Sequence, residues 1–214
     1  MPNWVSNKVT IRAASKERLQ EVRSLLETSN QDAKGGCYVD RFDFNKVLPM
    51  PPELKVTSGP ENQYLEAWYG IKGRFPLTRS RIREIKREPD SQKLAAAYKS
   101  NLDKHGHATW YTWRTEHWGT KWPANCSEAS VAEDGLSALY VFDTAWSVPL
   151  PVYVRLSELF PEISLHVEVD EEGGYFWGSL TLQNGVLGED IMEGYRPGGS
   201  FTREDEEGEV EDAE

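Results

Sequence analysis

The sequence predicts an α+β fold, in which an antiparallel sheet carries two helices on one face and a mostly helical segment is inserted into the chain. Three observations support this prediction. Alternating apolar and polar residues, typical of half-buried strands, occur at 4–13 and again at 163–170. Each of these runs adjoins a segment of helical periodicity. Between them, residues 60–104 read almost entirely as helix.

The first strand and the first helix follow directly from the order of residues. Val5, Val9 and Ile11 face one side of the run at 4–13, as a half-buried strand requires. Ser15 then stands in the N-cap position of a helix whose apolar residues recur at three and four positions. These residues are Leu19, Val22, Leu25 and Leu26.

The middle of the chain predicts a helical insertion at about 58–117. The prolines at 49, 51 and 52 exclude regular structure and predict a fixed, irregular linker. Helices are expected after Pro60, from Arg79 to Glu88, and after Pro89. Residues 108–117 predict a short aromatic helix that ends near Gly119.

The remainder of the chain returns to the sheet. Residues 123–132 predict a weakly extended segment, residues 133–135 a turn and residues 137–146 an alternating strand, and together they form a hairpin. Pro149 and Pro151 open a helix with Val152, Leu156, Leu159 and Phe160 in its apolar stripe. The strand at 163–170 and its antiparallel partner at 175–182 follow. Without the insertion, the order is βαββαβ with one added strand, a split βαβ plan.

Residues 1–194 are therefore predicted to form one α+β domain, and residues 195–214 a disordered acidic tail. The net charge of −11 is unevenly distributed. Residues 72–104 carry ten basic and four acidic side chains, whereas residues 105–202 carry four basic and fourteen acidic ones. The sequence predicts neither a membrane span nor a secretory signal, so we expect a soluble, cytoplasmic protein. Cys37 and Cys126 match no metal or redox spacing and are expected to be free thiols.

Four of the eight tryptophans lie within residues 108–125, and a fifth is Trp146. Such a concentration can form a surface on which a ligand stacks, or a core where the insertion joins the sheet. We favour the core interpretation for most of the rings and expect Thr120 and Lys121 to face outward. The binding candidates in this region are Trp118, Thr120, Lys121, Trp122 and Trp146.

A basic segment at 79–87 is the second candidate surface. Arg79, Arg83 and Arg87 recur at four-residue steps, hence on one predicted helical face, with Arg81 and Lys86 nearby. Such a face can follow the phosphates of a nucleic acid. A solvated helix, or one that neutralises acidic parts of the same chain, explains the pattern equally well.

Neither a metal site nor a catalytic site is predicted. His105, His107 and His117 with Cys126 match no standard zinc spacing, so ordinary surface or capping histidines are favoured. No nucleophile elbow, catalytic triad or phosphate-binding glycine loop occurs. We expect no cofactor.

Several motifs carry a family resemblance. They are NWVSNKVTI, LPMPPEL, WYTW, WGTKW and DTAWSVPLPVYVRLSELFPEI, closed by GYFWG. They resemble the YubB-like and Api-like proteins of bacteriophages and conjugative plasmids, across most of residues 2–185. The resemblance implies a ferredoxin-like domain in the C-terminal part. The function of that family is unknown, so the resemblance supplies no catalytic residue.

Our expectation is a non-enzymatic accessory protein of a phage or plasmid, which acts in the bacterial cytoplasm by binding a host or element-encoded protein. Blunting a host defence system is one form that this activity can take. Two alternatives stay open: a nucleic-acid-binding module that uses the basic insertion or the sheet, and an enzyme of unrecognised type. No membrane partner is expected, and the sequence does not predict the oligomeric state.

Overall fold

The computed structural model describes residues 3–31 and 37–193. They form two compact units. The sheet unit contains the described residues up to Leu48 and from Trp118 onward, and the helical unit comprises Pro49–His117. The predicted tail at 195–214 lies outside the described residues, as do the side chains of Cys37 and Cys126.

The strands of the described residues all belong to the sheet unit. In chain order they are β1 (Trp4–Arg12), β2 (Thr28–Gln31), β3 (Cys37–Asp40), β4 (Asn125–Val131), β5 (Ser137–Ala145), β6 (Ser164–Glu171), β7 (Trp177–Gln183) and β8 (Val186–Glu193). The helices are α1 (Lys16–Leu26), α2 (Phe44–Val47), α3 (Glu61–Tyr69), α4 (Arg79–Ile85), α5 (Ser91–His105), α6 (Trp110–His117) and α7 (Leu150–Leu159). A single 3₁₀ turn covers Pro52–Leu54.

The main sheet is antiparallel throughout, with the strand order β4-β5-β1-β6-β7-β8. Strands β1, β4, β5 and β6, together with α1 and α7, follow the βαββαβ order, so the predicted ferredoxin-like plan is confirmed. β7 is the predicted added strand. β8 is not predicted from the sequence, and its first two residues, Val186 and Leu187, are 66% and 38% exposed. β2 and β3 form a separate hairpin.

The central strands β5, β1 and β6 bring apolar residues to one face of the sheet. Val9 of β1 lies opposite Tyr140 of β5 and Val167 of β6, and all three are fully buried. Phe42 lies at the centre of this core, with its ring 5.4 Å from that of Tyr140 and 6.3 Å from that of Tyr153 in α7. Both contacts are edge-to-face, a favoured geometry for aromatic rings. Through Phe42 they connect β5 to α7.

The helices of the sheet unit largely match their predicted ends. Ser15 caps α1, since its Oγ accepts a hydrogen bond from the backbone N–H of Arg18. In α7 the buried stripe consists of Val152, Tyr153 and Leu156. The prediction that Leu159 belongs to this stripe is wrong. It is the last residue of the helix and is 40% exposed.

The helical unit has a core of its own. Leu65 of α3, Tyr98 of α5 and Ala108 pack together, and partly buried apolar residues surround them. The Asn101 side chain donates to the carbonyl oxygens of Glu53 and Ala108, at 2.9 and 3.1 Å. It thereby ties the entry of the unit to the loop that precedes α6.

Within the described part of the chain, no helix has the length and apolar character needed to cross a membrane.

Candidate functional site

The candidate residues around the tryptophan stretch separate into a buried pair and an exposed group. Trp118 is 1% exposed, its indole Nε1 donates to the carbonyl of Leu48 at 2.9 Å, and its ring meets that of Phe44 at 5.8 Å. Thr120 is also 1% exposed, and its Oγ1 donates to the carbonyl of Ala145 at 2.9 Å. The prediction that Thr120 faces solvent is therefore wrong, because its hydroxyl satisfies a buried carbonyl. Trp118 likewise belongs to the core.

These contacts belong to a clamp between the WGT segment and the turn that follows β5. The Ser147 hydroxyl donates to the carbonyl of Gly119, alongside the bond from Thr120. Gly119 has a φ of +78°, and a Cβ there would lie 2.9 Å from the Val148 carbonyl oxygen and 3.0 Å from Cδ of Pro151. Only glycine combines this conformation with such close packing. The WGTKW and TAW motifs thus meet in space.

The clamp holds Trp146 in an unusual backbone conformation. Its φ is 70°, a left-handed value that costs a bulky residue about 1–3 kcal/mol. Its backbone N–H donates to the carbonyl of Asn3 at 3.0 Å, and the Thr144 hydroxyl donates to the carbonyl of Ser147 at 2.8 Å. The side chain of Trp146 is nevertheless half exposed, at 50%. The surrounding bonds maintain a strained turn that presents a large ring to solvent.

Lys121 lies between two indole rings. Its Nζ is 3.6 Å from the ring centroid of Trp146 and 3.9 Å from that of Trp122. The Trp122 ring lies 5.8 Å from that of Trp4. We call Trp4, Lys121, Trp122 and Trp146 the tryptophan–lysine cluster. A cation on an indole face is stabilised by about 0.5–2 kcal/mol, so the ammonium group orders both rings.

Acidic groups lie beside this cluster. The backbone N–H of Trp4 donates to Glu172 Oε1 at 2.9 Å. Burial raises the pKa of Asp143, and the negative charge of Glu172 adds to the increase. Sequence reasoning missed Trp4 as a member of the cluster. The pairing of β1 with β5 places Trp4 opposite Ala145, next to Trp146.

The basic candidates are only partly brought together. Helix α4 ends at Ile85 and not at Glu88, so Arg87 does not share a helical face with Arg79 and Arg83. Proline disfavours a helical conformation at the residue before it, so Glu88, which precedes Pro89, falls outside the helix. Arg79, Arg83 and Arg87 are nevertheless exposed.

The other two basic candidates have contacts within the helical unit. Arg81 pairs with Glu84 at 3.2 Å and with Glu88 at 3.5 Å. Lys86 Nζ lies 5.2 Å from the ring centroid of Trp68. Arg81 is therefore engaged within the helical unit, whereas Lys86 is exposed like Arg79, Arg83 and Arg87.

The histidines are arranged differently from the set considered in the sequence. His105 Nε2 faces Glu53 at 3.9 Å, while His107 and His117 meet at a ring distance of 5.3 Å. Glu116, which sequence reasoning missed, joins them. Burial lowers the pKa of His107, outweighing the opposing effect of Glu116. Its ring therefore stays neutral to a lower pH than an ordinary histidine.

Two comparisons with known proteins find a similarity, one over the C-terminal part of the chain and one over most of it. Residues 117–214 match the family model described as "Ferredoxin-like domain in Api92-like protein". Among solved structures, the chain is similar to the crystal structure of a protein api92 from Yersinia pseudotuberculosis, at 12% sequence identity and a TM-score of 0.45. That similarity covers 92% of this chain and 99% of the other. No curated protein matches the sequence significantly.

Proposed function

We propose that the protein is a non-enzymatic binding protein whose partner docks on the tryptophan–lysine cluster. Its residues 117–214 match the ferredoxin-like domain of Api92-like proteins, which supports the fold on which this cluster is built. The observation that carries this proposal is Trp146, a half-exposed ring held at a φ of 70° by the hydrogen bonds of its own and the neighbouring backbone. A strained backbone conformation of this kind persists only where surrounding contacts hold it in place. Such conformations are concentrated at binding sites.

The composition of the cluster favours a protein partner. Tryptophan is enriched among the few residues that dominate protein interfaces, because a rigid ring buries a large area at low entropic cost. Lys121 adds a positive charge beside the exposed ring of Trp146. The complementary surface is an apolar segment with an adjacent carboxylate. Following the family resemblance, we propose that this partner is a host or element-encoded protein and that the protein serves a phage or plasmid in the bacterial cytoplasm.

The test compares two variants of the cluster with a matched control. Trp146→Gly removes the ring, and glycine adopts the same φ without strain, so the fold is expected to be retained. Lys121→Gln removes the charge. Phe75→Ala, which truncates a ring that is 79% exposed in the helical unit, is the control. Tagged wild-type and variant proteins capture partners from bacterial lysate, and quantitative mass spectrometry identifies them.

We expect a partner that the wild type and Phe75→Ala retain and that Trp146→Gly loses. With the purified partner, Trp146→Gly lowers the affinity by roughly thirtyfold or more, which corresponds to about 2 kcal/mol for an interface hot spot. Capture of the same proteins by all four chains contradicts the proposal. A chain that ends at Gly194 shows whether the acidic tail contributes.

The exposed arginines favour a second candidate, a nucleic-acid-binding module based on the helical unit. The helical unit carries twelve basic and eight acidic side chains. The sheet is the weaker surface for this purpose, since its outward positions include Glu168 and Asp170. Fluorescence anisotropy of a labelled single strand at about 50 and 200 mM salt tests the candidate, because phosphate contacts weaken steeply with salt. Binding that Arg79→Gln with Arg83→Gln abolishes supports it, and no binding at low salt excludes it.

A further inference from the structure

Three potential metal ligands converge at the end of α6. The ligand atoms of His107, Glu116 and His117 all lie within 4.8 Å of one another. His107 Nε2 is 3.6 Å from Glu116 Oε2. The two imidazole rings are nearly perpendicular, at 76°. Two imidazoles and one carboxylate form a ligand set that binds zinc in many proteins.

In each histidine, one ring nitrogen contacts a protein oxygen. His117 Nδ1 is 3.0 Å from the carbonyl oxygen of Trp113. A carbonyl only accepts, so Nδ1 of His117 carries the proton and Nε2 carries the lone pair. His107 Nδ1 is 3.2 Å from Thr112 Oγ1, and donation to that oxygen leaves its Nε2 free to face Glu116. Metal-binding histidines have this arrangement, in which the second ring nitrogen donates to a protein oxygen.

The backbone and a neighbouring ring position the two histidines. Thr112, Trp113, Glu116 and His117 lie on successive turns of α6, so positions four residues apart share a face. The His117 ring stacks on that of Trp113, with centroids 4.4 Å apart and planes 3° from parallel. His107 follows Gly106, whose φ of 73° ends α5 and turns the chain back. Helix α6 thus supplies two ligands and both orienting oxygens.

We propose that His107, Glu116 and His117 bind a divalent transition-metal ion of the zinc type. Imidazole nitrogen selects zinc and its first-row neighbours over magnesium or calcium, which prefer oxygen. In a tetrahedral zinc site the ligand atoms are about 3.3 Å apart, as follows from metal–ligand distances of about 2.0–2.1 Å. The Glu116 side chain is 72% exposed and can rotate to close the remaining gap. The fourth coordination position then faces solvent.

Metal titration of the full-length chain, carrying no polyhistidine tag and treated with chelator, tests this site. Calorimetry with zinc chloride measures stoichiometry and affinity, and Co²⁺ absorption reports tetrahedral nitrogen and oxygen coordination. The variants are His107→Ala, His117→Ala and Glu116→Gln. His166→Ala is the matched control, because His166 also lies beside a glutamate, with Nε2 3.5 Å from Glu168 Oε1.

We expect the wild type and His166→Ala to bind one equivalent of zinc with the same affinity. Both alanine variants at the site lose this binding, and Glu116→Gln weakens it by about tenfold or more, since a carboxamide is a poorer ligand. If an alanine variant unfolds by circular dichroism, Glu116→Gln decides, because its exposed side chain can change without disturbing the core. The absence of one-equivalent binding in the wild type overturns the proposal. So does an affinity that none of the three variants changes.

Discussion

Asn7 is a polar residue at a core position, and its side chain is fully satisfied. It is 0% exposed. Its Nδ2 donates to the Val5 carbonyl at 2.8 Å and to Thr144 Oγ1 at 3.0 Å, while its Oδ1 accepts from the Tyr153 hydroxyl at 2.8 Å. Burial raises the pKa of Tyr153 well above its ordinary value, so the hydroxyl remains a donor. This network links β1 and β5 to α7.

Tyr153→Phe tests the contribution of this network. The substitution leaves the buried Oδ1 of Asn7 without its donor, so we expect the free energy of unfolding to fall by about 1–3 kcal/mol. Urea denaturation followed by circular dichroism measures the change. Tyr69→Phe, at a position that is 45% exposed, serves as the control and should leave stability unaltered. Equal stability of the two variants would show that the network contributes nothing.

Gly119 allows a second prediction at the scale of single residues. Gly119→Ala and Gly135→Ala place a methyl group at similar φ values, +78° and +69°. Both pay about 1–2 kcal/mol for the left-handed conformation. At Gly119 the new Cβ also meets the Val148 carbonyl and the Pro151 ring, whereas at Gly135 it meets only the flexible Lys16 side chain. We expect Gly119→Ala to be the more destabilising by 1 kcal/mol or more, on the order of an overpacking penalty. Equal unfolding midpoints for Gly119→Ala and Gly135→Ala would contradict the close packing of the clamp around Gly119.

Residue types in the sequence identified part of the candidate site, but their orientation required the fold. The sequence predicts Lys121, Trp122 and Trp146 as binding candidates because aromatic and cationic residues coincide there. The polarity of Thr120 predicts an outward position, although a threonine hydroxyl is readily buried once a carbonyl accepts from it. Glu116 lacks a standard spacing with the histidines. Its proximity to His107 depends on the turn at Gly106, which no local pattern reports.

At the scale of elements, the N-cap of α1 was visible in the sequence and can be tested. Ser15 Oγ accepts from the N–H of Arg18 at 3.3 Å. Ser15→Ala removes this acceptor, and we expect a loss of about 1 kcal/mol in the free energy of unfolding. Ser15→Asp keeps an acceptor and should retain wild-type stability. Denaturant melts compare the three chains, and equal loss in both variants would indicate that the cap is unimportant.

Long elements with a buried apolar face are the ones that the sequence predicts most clearly. Burial alternates along β1, β6 and most of β5, because one side of each strand packs on the core; at the end of β5, Thr144 and Ala145 are both buried. β8 lies at the edge of the sheet with exposed valine and leucine, so its sequence lacks this alternation. α4 has only one buried residue, Ile85, which is why its C-terminal end could not be located from periodicity.

At the scale of the whole molecule, charge divides between the two units. The helical unit has twelve basic against eight acidic residues, whereas the remaining residues have twelve basic against twenty-seven acidic ones. The sequence already indicates an uneven distribution of charge. Counting charged residues by segment does not show that the change in charge coincides with a boundary between structural units. That boundary falls between His117 and Trp118, within the tryptophan stretch itself. Trp110 and Trp113 therefore belong to the helical unit, and Trp118 and Trp122 to the sheet unit.

The route of the chain suggests that the helical unit can be removed. The chain leaves the sheet unit after Leu48 and returns to it at Trp118. The Trp118 indole donates a hydrogen bond to the Leu48 carbonyl at 2.9 Å. A flexible linker of about four to six glycine and serine residues can span so short a gap. The Phe42 ring contacts those of Tyr140, Phe142 and Tyr153, which all belong to the sheet unit.

We therefore expect a chain in which such a linker replaces residues 49–117 to fold with the same sheet. Its unfolding should remain a single cooperative transition, and its far-ultraviolet circular dichroism should lose helical signal while keeping strand signal. Trp118→Phe in the shortened chain removes the bond to Leu48 and should lower stability by about 1 kcal/mol, the usual net contribution of a hydrogen bond. A shortened chain that shows no cooperative transition would mean that the ferredoxin-like sheet depends on the helical unit for its stability.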